Sequence, residues 1–283
     1  MFQIENEWQS RIAIVKKILN DSKKISLAGY SLNPGARPVA LSSQHKTSFK
    51  DIVTEYDKKV EDFIVGQLQT HFKGEGILGE EGSFVLKDKK LCDDLFPDEL
   101  LWVIDPIDGT TNYSRSYPYF CSTLALLQKI NGQFEVVLGA TLDPIKEELF
   151  YAAKGQGAYL NDEQIRVSTV AHIEKALFVT GFASEQGIQK DASFRRFINL
   201  TRKSMGVRRS GAAALDLAYV AVGRLDAFWE SGLSCWDVAA GALLITEAGG
   251  KVTHFERDSP WKVWTGEILA TNTFMHDEVK SLL

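Results

Sequence analysis

LLWVIDPIDGTTNY, residues 100–113, is the stretch from which the rest of the chain can be read. Its first half is an apolar run with the character of a buried strand. The strand is expected to end at Asp105, because Pro106 cannot donate to a ladder and Asp108-Gly109 then turns the chain. Asp105 and Asp108 stand three apart across that turn, so their carboxylates can converge on one point. Between them the Ile107 carbonyl, off any regular ladder, can act as a third oxygen. Two carboxylates and a backbone carbonyl are hard-cation chemistry and suit Mg²⁺. Thr110 and Thr111 add hydroxyls and, at a helix start, backbone N–H groups that favour phosphate. The plain alternative is a turn with side-chain caps, since Asp-Pro and Asp-Gly are common turn formers.

Outward from this stretch the pattern alternates between strands and helices. GIL (76–78), FCSTLALL (120–127) and FEVVLGATL (134–142) read as strands, and Asn131-Gly132 between the last two is a strong hairpin signal. Gly155, Gly157 and Asn161-Asp162 mark further turns. Upstream, Trp8, Ile12, Val15 and Leu19 line one face of an opening helix. Val60, Phe63, Ile64 and Leu68 line a second helix, with Thr54 as its cap. Residues 31–49, rich in Ser, Pro and Gly, read as a long loop. The final third predicts helices near 193–204, 212–222 and 236–248, and strands near 226–229, 251–254 and 267–271. Helices and strands in such blocks indicate a layered α+β or α/β sandwich. Without a clear linker, 1–283 reads as one catalytic domain with sub-halves of roughly 1–160 and 161–283.

Four more acids lie where an apolar element meets a turn. In ILGEEG (77–82), Glu80 can enter the same site as a metal ligand or water-orienting base, or belong to a solvated turn with Glu81. In KDIVTEYD (50–57), Asp57 can face a cation from a first helical turn, or close a capping box on Thr54. Asp237, in SCWDVAAGALLITEAGG (234–250), precedes an apolar helix and can be its N-cap or a ligand. Glu230, in DAFWESG, is either a solvated strand-end acid or a site residue.

Composition narrows the classes. The chain has 283 residues, 45% apolar and 24% charged, which is ordinary globular chemistry. Its net charge of −5 makes nucleic acid an unlikely partner, but admits a small anionic substrate where bound cations supply the positive charge. No apolar run suggests a membrane span, and the acidic N-terminus lacks a signal-peptide layout. Three dispersed cysteines, Cys92, Cys121 and Cys235, form no disulfide framework and indicate a cytoplasmic setting. The five histidines lack zinc spacing, and no nucleophile elbow, P-loop or Cys-x₅-Arg loop occurs. The acids together suggest a phosphate-ester hydrolase working with several Mg²⁺ ions.

With these motifs in this order, the chain resembles the inositol monophosphatase family of metal-dependent, lithium-sensitive phosphatases. WVIDPIDGTTNY (102–113) and CWDVAAGALLITEAGG (235–250) are similar to the family's two signatures. GEE and DxVTxxD accompany them. The resemblance implies a layered αβαβα sandwich of the sugar-phosphatase type, a homodimer, and hydrolysis of a small phosphorylated metabolite with Mg²⁺. By motif it assigns Glu80, Asp105 and the Ile107 carbonyl to a first metal, and Asp105, Asp108 and Asp237 to a second. A weaker third ion would sit near Glu80. Thr110 with Asp57, near Glu80, would position and deprotonate water. Gly109 and Thr110 would bind phosphate, Gly211 and Ala213 would touch the substrate ring, and Glu230 would grip its hydroxyls. Lys46 matches a loop lysine near the metals. Residues 83–101 make the Glu80-to-Asp105 interval wider than the family leads one to expect. Arg208 and Arg209 can orient an anionic substrate or pair with helices. Inositol monophosphate is the expected substrate. Fructose 1,6-bisphosphate, NADP, histidinol phosphate and adenosine 3′,5′-bisphosphate are alternatives, and a regulatory binding protein on this scaffold is an alternative of another class.

Overall fold

The computed structural model describes residues 2–30, 44–45, 52–82, 92–182 and 188–283. The chain runs α1 (Phe2–Gly29), β1 (Gln44–His45), β2 (Ile52–Val53), α2 (Glu55–His71), β3 (Gly76–Gly79), β4 (Leu100–Asp108) and α3 (Thr110–Ser114). It continues with β5 (Cys121–Ile130), β6 (Gln133–Asp143), β7 (Glu148–Ala153), β8 (Ala158–Leu160), β9 (Glu163–Gln164) and β10 (Leu177–Thr180). The last third is α4 (Ile188–Lys203), β11 (Gly206–Arg208), α5 (Ala213–Ala221), β12 (Ala227–Ser231), α6 (Cys235–Glu247), β13 (Lys251–Thr253), β14 (Glu267–Thr271) and α7 (His276–Leu282).

Two sheets divide the described strands, apart from the short β1–β2 pair. The seven-stranded sheet follows chain order from β3 to β9, and the five-stranded sheet has the order β11-β10-β12-β14-β13. In the first, only β3 and β4 are parallel. The β5–β6 hairpin turns at Asn131 and Gly132, with φ of 51° and 78°. Positive φ at both positions matches the right-handed strand twist, which is why Asn-Gly stands there.

Helices fill the space on both sides of each sheet. Val15, Ile18 and Leu19 of α1 and Val60, Ile64 and Leu68 of α2 pack on Trp102, Ile104, Leu124 and Leu126 of the first sheet. A fully buried leucine such as Leu68 contributes about 2–3 kcal/mol of transfer free energy. Helices α5 and α6 are apolar nearly all round because they lie between the sheets. Leu217, Val220, Leu244 and Ile245 meet Phe150 on one side and Val179, Phe228 and Ile268 on the other. Helix α6 rides so close to β6 that a Cβ at Gly139 would stand 2.7 Å from the Cα of Ala240. Leu200 of α4 and Val279 of α7 cover the outer face of the second sheet at Phe178, Ala227, Trp229 and Leu269. Helices, sheet, helices, sheet, helices is the expected αβαβα sandwich. No helix among the described residues is long and apolar enough to cross a membrane.

Three local expectations are corrected. The strand through LLWVID does not stop at Pro106 but continues to Asp108, because a bulge absorbs the residue that cannot donate. Asp237 is not the N-cap: α6 begins at Cys235, Ser234 caps it, and Asp237 is the third residue of the first turn, closing the capping box. The stretch 31–49 is not all loop, since Gln44–His45 pairs with Ile52–Val53.

Candidate active site

The bulge in β4 brings the acids together. Asp105 pairs with Thr123 and Asp108 with Cys121, so three steps on β4 oppose two on β5. In a regular strand residues three apart face opposite sides, and one extra residue returns them to the same side. The freed backbone is accounted for: Ser122 Oγ donates to the Pro106 carbonyl at 2.7 Å, and Thr110 Oγ1 donates to the Ile107 carbonyl at 2.9 Å. Ile107 thus presents its carbonyl off the strand ladder.

Glu80 arrives from the neighbouring strand. β3 runs parallel to β4, and the Glu80 N–H donates to Ile104 O at 3.0 Å, which sets Glu80 beside Asp105. Asp57 arrives from α2 and serves two ends. Its Oδ2 accepts from the Thr54 N–H at 2.9 Å and from Thr54 Oγ1 at 2.5 Å, closing the capping box. Its Oδ1 accepts from Thr110 Oγ1 at 3.1 Å. Asp57 therefore closes the capping box with one oxygen and meets Thr110 with the other. Asp237 likewise accepts from the Ser234 N–H at 2.6 Å through Oδ2.

The second sub-half meets this cluster at the start of α5. Asp108 Oδ2 accepts from the Ala214 N–H at 2.6 Å. Asn112 Nδ2 donates to the carbonyls of Tyr119 at 2.8 Å and Ser210 at 2.9 Å, tying the 109–112 turn to the segment that holds Gly211 and Ala213. Gly109 has φ of +91°, and a Cβ on it would stand 3.1 Å from both Ala212 Cβ and the Tyr119 carbonyl. Gly109→Ala therefore adds left-handed backbone strain and presses on residue 212. We expect about 1–3 kcal/mol of lost stability, read as a lower melting temperature, with loss of any activity that uses this turn.

Asp105 is 2% exposed, and its Oδ1 is buried without a hydrogen-bond partner among the described residues. Burial holds its carboxyl well above the usual range, and the carboxylates of Glu80, Asp108, Asp237 and Asp57 push it further. Burial and Asp108 raise Asp237 in the same way. Burial lifts Asp57 to about 7 against the Thr54 hydrogen bonds, and lifts Asp108 to about 6 against the Ala214 N–H. Asp108 and Asp237 keep part of their surface open, so the cluster is within reach of solvent. Its donors are all oxygen and its unpartnered buried atom is anionic, a set that fits a hard divalent cation. Among the described residues no three Asp, Glu, His or Cys side chains are gathered closely enough to form a finished coordination shell. The acids act on one another through their fields.

A carboxyl whose pKa is raised by folding holds its stability at low pH and loses it as pH climbs through the folded value. For Asp57 that window runs from the ordinary 3.8 up through about 7. The metal-free chain is therefore expected to melt at progressively lower temperature from about pH 4 to pH 8, with Mg²⁺ restoring more at the upper end. A melting temperature in EDTA that is flat or rising over that range would contradict the coupling. Exposed pairs such as Lys17–Asp21 are screened and contribute little.

The other expected residues divide. Glu230 on β12 is buried, not solvated, with its carboxyl against Gly181, where a Cβ would fall 2.1 Å from Oε2. Its carboxyl is held well above the usual range by burial and by Asp216, with Arg209 opposing. The Arg209 guanidinium lies over the Phe182 ring at 5.1 Å. Trp236 packs against a hydrophobic cluster with Leu78 and Leu101. Lys46 and residues 83–91 lie outside the described residues. Sequence reasoning missed Asn112, although it stands inside the DGTTN motif. It also missed Glu61, four residues after Asp57, and Asp216, whose carboxyl accepts from Tyr119 Oη at 2.6 Å.

The inositol monophosphatase family profile matches residues 12–282 and so takes in every acid named above. The chain belongs to the inositol monophosphatase family. Within it, the chain is 42% identical over 241 residues to a protein of Synechocystis sp. named inositol-1-monophosphatase, covering 85% of this chain and 79% of that one. It is 43% identical over 233 residues to a Pseudomonas aeruginosa protein named Nus factor SuhB, covering 82% of each. The solved inositol monophosphatase of Anabaena (Nostoc) sp. superposes with a TM-score of 0.79 at 36% identity, over 98% of this chain and 96% of that one.

Proposed function

We propose that this family member is a Mg²⁺-dependent phosphoric monoester hydrolase that converts inositol monophosphate and water into inositol and phosphate. The observation that carries the reading is Asp105: a buried carboxyl with an unpartnered oxygen, pressed by four other carboxylates. Such a cluster is costly unless cations neutralise it. On this reading Glu80, Asp105 and the Ile107 carbonyl hold one ion, and Asp105, Asp108 and Asp237 hold another. A weaker third ion belongs near Glu80. Bound there, Mg²⁺ neutralises the phosphate, lowers the pKa of a water and stabilises the departing oxygen.

The chain's own groups do the rest. Thr110 Oγ1, fastened to Asp57 and to the Ile107 carbonyl, accepts a hydrogen bond from the attacking water and aims it at phosphorus. As the water oxygen bonds to phosphorus, its proton passes through the Thr110 hydroxyl to Asp57, with Glu80 alongside. The ester bond breaks on the opposite side, the leaving oxygen takes a proton from solvent water to become inositol's hydroxyl, and the proton held by Asp57 returns to solvent. Backbone N–H groups of Gly109 and Thr110 hold the phosphate oxygens. The backbone at Gly211 and Ala213 meets the ring, and buried Glu230 accepts from its hydroxyls. Ligands come from both sub-halves, Asp237 from the second, so residues 1–283 work as one catalytic unit. All three cysteines are free, which supports a cytoplasmic setting. A homodimer completes the proposal.

The test is phosphate release from inositol monophosphate, fructose 1,6-bisphosphate, NADP, histidinol phosphate and adenosine 3′,5′-bisphosphate, with Mg²⁺ and with EDTA. Inositol monophosphate is expected to show the highest kcat/KM, and EDTA to stop all turnover. Preference for another ester would change the substrate and keep the chemistry. No cleavage of any ester would favour the second reading, a binding role, for which the Nus factor name of the Pseudomonas relative speaks.

A further inference from the structure

Helix α2 carries a second buried acid. Glu61 lies four residues after Asp57, one turn along the same helical face, and is 6% exposed. Its Oε2 accepts from the Glu81 N–H at 2.9 Å and its Oε1 from the Gly82 N–H at 2.7 Å. Its carboxyl also fills the space beside Gly79: a Cβ there would stand 2.3 Å from Glu61 Cδ. Glu80 sits between these fastenings. Glu61 packs on Gly79 and accepts from the N–H groups of Glu81 and Gly82, while the Glu80 N–H donates to Ile104 O. The backbone that carries Glu80 is thereby clamped to α2 on one side and to β4 on the other.

We propose that Glu61 is a positioning residue that fixes the turn from which Glu80 reaches the acidic cluster. Helix α2 then sets both arms at once, Asp57 toward Thr110 and Glu61 toward the Glu80 turn. The inference rests on the reading of Glu80 as a ligand of divalent cation. Groups that orient a ligand are typically worth about 10–100-fold in metal affinity, because a carboxylate on a loose turn must be ordered before it binds. Charge-assisted bonds to two successive N–H groups are the strong form of such an anchor.

The test compares wild type, Glu61→Gln, Glu61→Ala and Leu68→Ala. The last truncates a core side chain on the same helix and serves as a control for lost stability alone. Mn²⁺ affinity is measured by electron paramagnetic resonance titration, amide exchange at Glu81 and Gly82 by deuterium uptake, and the Mg²⁺ half-saturation of phosphate release by kinetics. Both Glu61 variants are expected to weaken Mn²⁺ about tenfold or more, to speed exchange at Glu81 and Gly82, and to raise the Mg²⁺ requirement. Leu68→Ala is expected to lower the melting temperature and leave the Mn²⁺ affinity where it was. If Glu61→Ala does not fold, Glu61→Gln, which keeps size and one acceptor oxygen, carries the comparison. Wild-type binding with Glu61 variants no weaker than Leu68→Ala would overturn the positioning role and leave the phosphatase reading standing. A wild type that binds no Mn²⁺ would overturn both.

Discussion

Asp105→Asn is expected to reduce Mg²⁺-dependent phosphate release by about 10³-fold or more and, in EDTA, to melt at a higher temperature than wild type. The two effects have one cause. Asp105 is buried, and the charges pressing on it are carboxylates. An amide of the same shape never ionises, which spares the metal-free chain the repulsion or proton uptake that this carboxyl requires, and it removes an oxygen that the proposed ions would use. Asp237 lies within hydrogen-bonding reach of it, so the new amide can donate where two carboxylates formerly opposed each other. A structural acid would behave the other way, because its removal would lower the melting temperature and spare the Mg²⁺ response. Melting curves with and without Mg²⁺, beside kcat, separate the cases. A variant with near-wild-type turnover would reject the assignment.

Asp57→Asn is expected to lower kcat by about 10²–10⁴-fold, the usual worth of a positioned general base. Its Mg²⁺ half-saturation should stay close to that of wild type. Asp57 touches Thr110 and Thr54, not the ions, in this reading. The amide keeps one oxygen for the α2 cap and cannot ionise, so the melting temperature in EDTA should stay near that of wild type or above it at neutral pH. The pH profile adds a sign. Asp57 must be ionised to accept a proton, and burial lifts it to about 7. The kcat of wild type should therefore rise with pH along an acid limb at or below that value, since nearby cations pull it down. In Asp57→Asn the limb should vanish from the residual rate. An unchanged limb would assign the base elsewhere.

Much of this was legible in the residues because the chemistry is packed into short motifs. LLWVIDPIDGTTNY holds two acids, a carbonyl, a hydroxyl and the turn glycine within fourteen consecutive positions, and the apolar run of α6 announces a buried helix. What was misread depends on partners distant in sequence. The bulge between Asp105 and Asp108 is a matter of register against β5, which no pattern internal to β4 displays. Glu230 stayed open between a solvated strand end and a site residue because the five-residue run AFWES does not show that β12 is central, flanked by β10 and β14. Glu61 was missed because the N–H groups it holds belong to a turn twenty residues on. Its only local signal was the four-residue interval from Asp57.

Crystals of the full chain grown with Mn²⁺, with anomalous scattering recorded at the manganese edge, test the central claim most directly. Peaks are expected beside Asp105, one shared with Glu80 and the Ile107 carbonyl and one shared with Asp108 and Asp237. An intact, well-ordered acidic cluster with no anomalous peak at any of these oxygens would contradict it.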